Sequence, residues 1–162
     1  MSPVTVSRRS IFAAAVGLLL LNCCPALRAD DTRLRGQLLY LPVYSEVPFG
    51  DRGLTINLSA TVTIRNTDGI APITIKRADY FGSSGVLIRP YLKQPEVVRP
   101  MGSVNHVVNE SDRSGGSSAS FLLEWQSDVP VTPPVVEAIM VNLTYNTGFA
   151  FSSQARVLEQ RP

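Results

Sequence analysis

The clearest pattern in the chain is a strict alternation of apolar and polar residues over positions 54–66. A period of two places one side of an extended segment against a core and the other in water. The polar positions include three threonines, which suit a strand. The pattern predicts a half-buried β-strand that ends in a turn at Asp68-Gly69, because this dipeptide accepts a positive φ. Its apolar members are Leu54, Ile56, Leu58, Ala60, Val62 and Ile64.

The rest of the chain after residue 30 shows further strand-like runs and no convincing helical period. Prolines fall at the edges of these runs, as expected because central strands exclude proline. Turns every 8–12 residues or so favour an all-β fold, namely an immunoglobulin-like antiparallel β-sandwich of seven to eight strands. Trp125 lacks the paired cysteines of antibody domains and is predicted to be a core residue. The runs cover residues 36–45, 72–81, 85–92, 102–110, 120–127, 135–145 and 149–158.

The N-terminal segment has the layout of a secretory signal. Arg8 and Arg9 precede an uncharged apolar run at residues 11–21, which leads to small residues ending at Ala29. The run is shorter than the roughly 20 apolar residues that a membrane span requires. We therefore expect a signal helix in a signal peptide at residues 1–29, one domain at residues 30–162, and a periplasmic or secreted bacterial protein.

Several features of this export remain open from the sequence. Cleavage after Ala26 and cleavage after Ala29 are both compatible with the small residues present. A lipid anchor on Cys23 or Cys24 is a less favoured alternative, because neither cysteine follows the small residue that a lipobox usually has. The Arg8-Arg9 pair resembles a twin-arginine signal but also occurs in ordinary signals. Membrane contact is expected only through the signal or such an anchor.

Removing the signal changes the charge and the cysteine content. It takes Arg8, Arg9 and Arg28 from the 15 basic residues and leaves 12 against 13 acidic ones, a net charge of about −1. No basic excess is left to attract a phosphate backbone, so nucleic acid is not an expected partner. Both cysteines lie in the signal, so the domain has no disulfide, thiol nucleophile or thiolate metal site.

A set of short motifs resembles a bacterial family catalogued as domain-of-unknown-function family 3124. The resemblance covers roughly residues 37–143, and its most specific part is the Ser-Asp-Arg-x-Gly-Gly stretch. It implies an exported bacterial domain and transfers no catalytic residue. The motifs are Tyr40-Leu41-Pro42-Val43-Tyr44-Ser45, Gly50-Asp51, Ile64-Arg65-Asn66-Thr67-Asp68, Pro90-Tyr91-Leu92, Ser111-Asp112-Arg113-Ser114-Gly115-Gly116 and the segment from Phe121 to Glu124-Trp125.

The sequence offers little catalytic or metal-binding chemistry. His106 is the only histidine, and a triad or a histidine metal cluster needs partners that are absent from the sequence. A structural or surface role is the favoured interpretation of His106, with a lone acid–base role as the alternative. The run Asn109-Glu110-Ser111-Asp112 could supply oxygens to Ca²⁺, but a solvated turn is the preferred interpretation. We expect no cofactor and no resident metal.

Two loops share an Asp-Arg dipeptide and are the predicted binding residues: Asp51-Arg52 and Asp112-Arg113. These pairs could simply form salt bridges or cap backbone amides. Loops on a rigid sheet nevertheless carry binding sites disproportionately. Successive connections in an up-and-down run alternate between ends, so the first and fifth connections are predicted to share one end. A separate strand at residues 96–99 could reverse this parity.

The leading functional hypothesis is a non-enzymatic interaction or accessory module that binds an envelope protein or ligand through these four residues. One alternative is an envelope enzyme with a site built from carboxylates and arginine. A second alternative is a lipid-anchored structural protein of the envelope. The identity of the partner is not readable from the sequence.

Overall fold

A computed structural model describes residues 32–144 and 147–162. The predicted signal peptide at residues 1–29 lies outside the described residues. Within those ranges the chain forms strands and one short 3-10 helix, Gly116–Ser118, and contains no α-helix. The strands are β1 (Leu34–Val43), β2 (Glu46–Phe49), β3 (Leu54–Asn57), β4 (Ser59–Arg65), β5 (Ile73–Phe81), β6 (Leu87–Pro90), β7 (Glu96–Val98), β8 (Ser103–Val108), β9 (Ala119–Val131), β10 (Val135–Thr144), β11 (Thr147–Gln154) and β12 (Arg156–Arg161).

These strands form two larger antiparallel sheets and one hairpin. The first sheet has the order β12-β1-β9-β5-β6, with β7 also paired to β5. The second has the order β11-β10-β4-β8, and β2 pairs only with β3. All described strand pairs are antiparallel. The predicted all-β antiparallel sandwich is confirmed, but the described residues form twelve strands where the sequence predicts seven to eight. No described helix is long and apolar enough to cross a membrane.

One hydrophobic core lies between the two sheets. Alternate residues of β4 point into it, and Ala60, Val62 and Ile64 are almost completely buried, as the period of two predicts. Trp125 on β9 is also buried, as predicted, and its indole N–H donates to Oε1 of Gln37 at 3.1 Å. The bond satisfies the one polar group of the indole inside the core.

Two of the predicted runs are each divided between different sheets. The alternating run at 54–66 is interrupted at Leu58, whose backbone N–H donates to the carbonyl of Ser45 at 2.8 Å. Its first part, β3, pairs with β2, and its second part, β4, lies in the sandwich. The run at 149–158 is divided at Ala155, which donates to the carbonyl of Val136 at 3.0 Å where the chain passes from one sheet to the other.

The segment at residues 96–99, which could have reversed the parity of the connections, does form a strand. β7 pairs with the beginning of β5, and β6 pairs with its end. Both run antiparallel to β5, so they are two pieces of one interrupted edge strand. The interruption at residues 91–95 therefore does not reverse the chain, and the parity of the later connections is unchanged.

Candidate functional site

The strand registers place both Asp-Arg dipeptides in connections at one end of the sandwich. Val43 at the end of β1 pairs with Ala119 at the start of β9, and Ala60 at the start of β4 pairs with Val108 at the end of β8. We call this end the loop end, defined by residues 44–58, 82–86 and 109–118. The shared end agrees with the parity argument. A binding role for Asp51, Arg52, Asp112 and Arg113 stays a prediction.

Asp112 is held on both of its carboxylate oxygens. Oδ2 accepts a hydrogen bond from Arg89 at 2.6 Å, and Oδ1 accepts from the backbone N–H and the hydroxyl of Ser114. The Ser114 donors, together with the positive charge of Arg89, lower the pKa of Asp112 below its usual range. The carboxylate therefore stays ionised and organises the loop, a role that suits a positioning residue.

Arg89 links this carboxylate to the aromatic part of the core. Its guanidinium donates to Oη of Tyr91 at 2.8 Å and lies 4.9 Å from the centroid of the Tyr91 ring. The hydrogen bond to Tyr91 is the main cause of a raised pKa at Arg89. Tyr91 in turn donates to the carbonyl of Val107 at 3.1 Å. Sequence reasoning did not single out Arg89, because it lies on β6 and its partner Asp112 lies 23 residues away, in the 109–118 connection.

Arg113 points away from Asp112 and toward the hairpin formed by β2 and β3. Its guanidinium contacts Oε2 of Glu46 at 3.1 Å and lies 3.5 Å from Oγ1 of Thr55. The side chain of Arg113 is 59% exposed, so this ion pair contributes little stability on its own. The contact does fix where the base of the hairpin lies relative to the 109–118 connection.

The two glycines after Ser114 allow this connection to pack tightly. A Cβ on Gly115 would lie 1.9 Å from Oη of Tyr80 and 2.5 Å from Oγ of Ser45. These two oxygens are buried and 2.8 Å apart, and burial is the main cause of a raised pKa at Tyr80. Gly116 adopts a φ of +70°, which favours glycine. Close packing and backbone conformation thus explain the two glycines of the Ser-Asp-Arg-x-Gly-Gly stretch.

Ser83, in the connection at residues 82–86, forms hydrogen bonds with the 109–118 connection. Its backbone N–H and its hydroxyl both donate to the carbonyl of Gly115, at 3.0 and 2.8 Å. Its hydroxyl also accepts from the N–H of Ser118 at 3.0 Å. Between these segments lies an open groove of about 500 Å³, with Arg113 on its wall. Its other lining residues are Gly82, Ser83, Ser84, Val86, Ile88, Ser114, Gly115 and Gly116.

Asp51 and Arg52 lie in the turn of the hairpin and are exposed. Gly50 and Gly53 flank them with φ near +65°, as a tight turn requires. Among the described residues, neither Asp51 nor Arg52 has a partner in a hydrogen bond or an ion pair. The structure therefore separates the four predicted residues into an engaged pair at 112–113 and a free pair at 51–52.

The remaining sequence candidates are His106 and the segment at residues 109–112, and both lie outside the hairpin turn that carries Asp51 and Arg52. His106 is on β8, 8% exposed, beside the ring of Tyr91. No group of three or more His, Cys, Asp or Glu side chains in the described part of the chain could hold a metal ion. In the segment considered for Ca²⁺, the N–H of Asp112 donates to the carbonyl of Asn109 at 2.9 Å, which is a turn contact.

These features define an all-β sandwich whose 109–118 connection is held by hydrogen bonds, by the Arg89–Asp112 ion pair and by close glycine packing. The chain belongs to the family described as "Protein of unknown function (DUF3124)", whose model matches residues 36–158. This confirms the resemblance that the sequence motifs suggested. No curated protein matches the chain. A solved structure titled "Crystal Structure of Thermotoga maritima 1070" is 18% identical, covers 80% of this chain and 98% of its own, and gives a TM-score of 0.47.

Proposed function

We propose that this chain is an exported, non-enzymatic interaction module that binds a partner protein of the bacterial envelope through its loop end. The observation that carries the proposal is the hairpin of β2 and β3. Its turn presents Asp51 and Arg52 without internal partners, and the residues on either side, Phe49 and Leu54, are 47% and 50% exposed. An exposed apolar patch with a polar rim is typical of a surface that another protein covers, and Asp51 and Arg52 would belong to such a rim.

The neighbouring connection extends this surface. Val86 lines the groove at the loop end, and Leu87 follows it at the start of β6; both are exposed large apolar residues. Arg113 contacts the base of the hairpin and keeps more than half of its side chain exposed. Its planar guanidinium can donate to a carboxylate of a partner in addition to Glu46. The proposed surface therefore combines the hairpin turn, Arg113 and residues 86–87.

The state of Asp112 supports a binding role over an enzymatic one. An acid–base catalyst needs a carboxyl whose pKa lies near the working pH. Asp112 instead has a lowered pKa, and its two oxygens are occupied by Arg89 and Ser114. Glu46 is engaged with Arg113 in the same way. The loop end thus holds its nearest carboxylates in structural contacts, and Asp112 acts by positioning the surface.

A site-specific crosslinking experiment tests the proposal. A photoreactive aromatic amino acid replaces Phe49, which lies beside the turn and leaves Asp51 and Arg52 in place, in the full chain expressed in its native cell envelope. A matched protein carries the same group in place of Ile70. Ile70 is 86% exposed and lies in the connection at residues 66–72, at the opposite end of the sandwich. We expect one discrete crosslinked protein with the group at position 49 and none at position 70.

Two variants then test the chemistry of the contact. An Asp51→Ala/Arg52→Ala protein should fold normally, because neither side chain has a partner among the described residues, and should lose the crosslinked partner when the photoreactive group is placed at Phe49. Ile70→Ser, with the group at Phe49, should retain it. An unchanged crosslink in the Asp51→Ala/Arg52→Ala protein would contradict the proposal, as would equal labelling from positions 49 and 70.

A further inference from the structure

The two sheets leave an open seam between β7 of the first sheet and β8 of the second. The chain passes between the sheets at residues 99–102, at one end of this seam, and at Ala155 on the other side of the sandwich. Along the β7–β8 seam lies a cleft of about 530 Å³, bounded by residues 91–97 and by the middle of β8. This cleft is separate from the groove at the loop end, which involves none of the same residues.

The backbone of β8 directs unpaired groups toward this seam. The N–H of Asn66 donates to the carbonyl of Gly102, just beyond the paired residues Arg65 and Ser103. Hydrogen-bonded pairs alternate along an antiparallel ladder, so the bonds to β4 continue at the even-numbered residues of β8. The N–H and C=O groups of Ser103, Asn105 and Val107 therefore point away from β4.

The contact of Tyr91 agrees with this assignment of the outward backbone groups of β8. Its hydroxyl donates to the carbonyl of Val107 at 3.1 Å, so this carbonyl does face the seam. No described residue provides a backbone partner for the outward groups of Asn105. β8 is thus an edge strand. Tyr91 covers the outward carbonyl of Val107, whereas the outward N–H and C=O of Asn105 are open.

The side chains of β8 leave this edge unprotected. Edge strands are commonly shielded from further pairing by charged residues or proline. β12, at the far edge of the first sheet, has Arg156, Glu159 and Arg161. β8 reads Ser-Val-Asn-His-Val-Val, with no proline and no permanently charged residue. Burial lowers the pKa of His106, while Glu96, which lies on the facing segment, opposes this effect.

His106 also leaves a polar atom unsatisfied at the cleft. Its imidazole lines the cleft and is 8% exposed, and Nε2 has no hydrogen-bond partner among the described residues. A neutral imidazole nitrogen donates or accepts according to its tautomer. A hydroxyl or a carboxamide suits either tautomer, since both groups can donate and accept.

We propose that the seam is a docking site for an extended peptide segment of another protein, which pairs with β8 as a fifth strand of the second sheet. Main-chain hydrogen bonds to Asn105 supply the register, and alternate side chains of the segment enter the cleft beside Lys93, Glu96 and His106. Segments carrying Ser, Thr, Asn or Gln at the inward positions fit the unsatisfied imidazole. The site does not depend on the binding surface at the loop end.

The probe is a displayed library of random twelve-residue peptides, selected on the immobilised full chain. We expect selected peptides to bind wild type and Asn105→Ala alike, because alanine keeps the main-chain donor. Asn105→Pro removes that outward donor without breaking a bond to β4, and should weaken binding at least tenfold. Asp51→Ala/Arg52→Ala should have no effect, which separates this site from the loop end.

Hydrogen exchange on the wild-type protein gives a readout that needs no variant. The amides of Asn105 and Val107 should exchange rapidly in the free protein and become protected when a selected peptide is added, whereas the amide of His106 should be slow in both states. Failure to select any binder, or binding without protection of Asn105, would overturn the proposal. Self-association of the chain that Asn105→Pro abolishes would assign the edge to a second copy and would overturn it as well.

Discussion

At the residue scale, the organisation of the loop end depends on side chains that leave no room for substitution. Gly115 packs against the hydroxyls of Tyr80 and Ser45, and Asp112 holds Arg89 and Ser114. The motif that most clearly marks the family in the sequence is therefore one whose residues contact each other and the core. Arg113 differs from Asp112 and Gly115, because more than half of its side chain is exposed.

Gly115→Ala should destabilise the protein. The added Cβ would lie 1.9 Å from Oη of Tyr80, so the tyrosine or the connection must move. Overpacking of this kind costs about 1–3 kcal/mol in the free energy of unfolding, and the broken Tyr80–Ser45 hydrogen bond adds to it. Urea unfolding followed by tryptophan fluorescence measures the change.

Gly69→Ala is the matched control for this experiment. A Cβ at Gly69 meets nothing within 4 Å, and its φ lies outside the left-handed region. The control should change the free energy of unfolding by no more than about 0.5 kcal/mol. Equal losses in the two variants would show that Gly115 is not constrained by packing.

Asp68 should make stability depend on acid pH. Its carboxylate accepts hydrogen bonds from the backbone of Ala71, Ile70 and Thr132 and forms an ion pair with Arg33. The backbone hydrogen bonds, Ala71 first, lower its pKa from the usual 3.8 to about 2. The unfolded chain therefore binds a proton at a higher pH than the folded one.

The contribution of Asp68 is consequently complete above pH 4 and is lost as the pH falls toward 2. Asp68→Asn should unfold at lower urea concentration at pH 7 and lose less stability than wild type between pH 4 and pH 2. Asp128→Asn, which changes an exposed carboxylate, should follow the wild-type curve. Parallel pH profiles for wild type and Asp68→Asn would contradict the assignment.

At the scale of the elements, periodicity predicts the strands more reliably than it predicts their partners. The sequence alternates without a break from β3 into β4 and predicts that Leu54 faces the core, but Leu54 is 50% exposed because β3 leaves the sandwich to pair with β2. Beyond Ala155, Val157 and Leu158 of β12 are likewise exposed. Pairing is decided by contacts distant in sequence, such as the bond from Leu58 to Ser45, which no local pattern contains.

Contacts distant in sequence also decide which of the predicted binding residues have partners. The sequence identified both Asp-Arg dipeptides, since each is local, and strand parity placed them at one end. It could not separate the free pair from the engaged pair. The partners that engage Asp112 and Arg113 are Arg89 and Glu46, which lie 23 and 67 residues away in the chain.

The hairpin of β2 and β3 should open more readily than the rest of the molecule. It pairs with neither of the larger sheets, and an isolated two-stranded pair is only marginally stable. We expect the interstrand amides at Val47 and Ile56 to exchange at least tenfold faster than those at Leu39 and Leu123 in β1 and β9. Hydrogen exchange monitored by nuclear magnetic resonance measures these rates.

Arg113→Ala should accelerate exchange in the hairpin further, because Arg113 links it to the 109–118 connection through Glu46. Arg156→Ala is the control, since it removes an exposed arginine of β12 that forms no ion pair with the described residues. Hairpin amides as slow as those of β1 would refute a locally opening hairpin. Equal effects of the two arginine variants would refute the link through Arg113.

At the scale of the whole molecule, one core joins two sheets, and the chain passes between them at both sides. β11 and β12 are separated by the single residue Ala155, whereas β7 and β8 are separated by residues 99–102. Near the second of these sides, the ring of Tyr91 packs against Phe121 and His106. Alternation in the sequence predicts two faces, but it does not show which edges remain open.

The boundary of the folded domain bears on the predicted export. The compact unit begins at Thr32, and β1 begins at Leu34. Arg33 already belongs to the fold, because it donates to the carbonyl of Pro130 at 3.1 Å and pairs with Asp68 at 2.8 Å. If the predicted signal peptide is removed, we therefore expect cleavage before Arg33.

We predict that the mature N-terminus lies between Leu27 and Asp30, which satisfies this condition and follows the small residues at the end of the signal. Expression in a bacterial host followed by intact-mass measurement of the envelope fraction should give a chain shortened by 26–29 residues. Replacing Ala26 and Ala29 together by bulky residues should cause the precursor to accumulate, because a signal peptidase requires small residues before the bond it cuts. An envelope protein that retains Met1, or one that carries lipid on Cys23 or Cys24, would contradict the prediction.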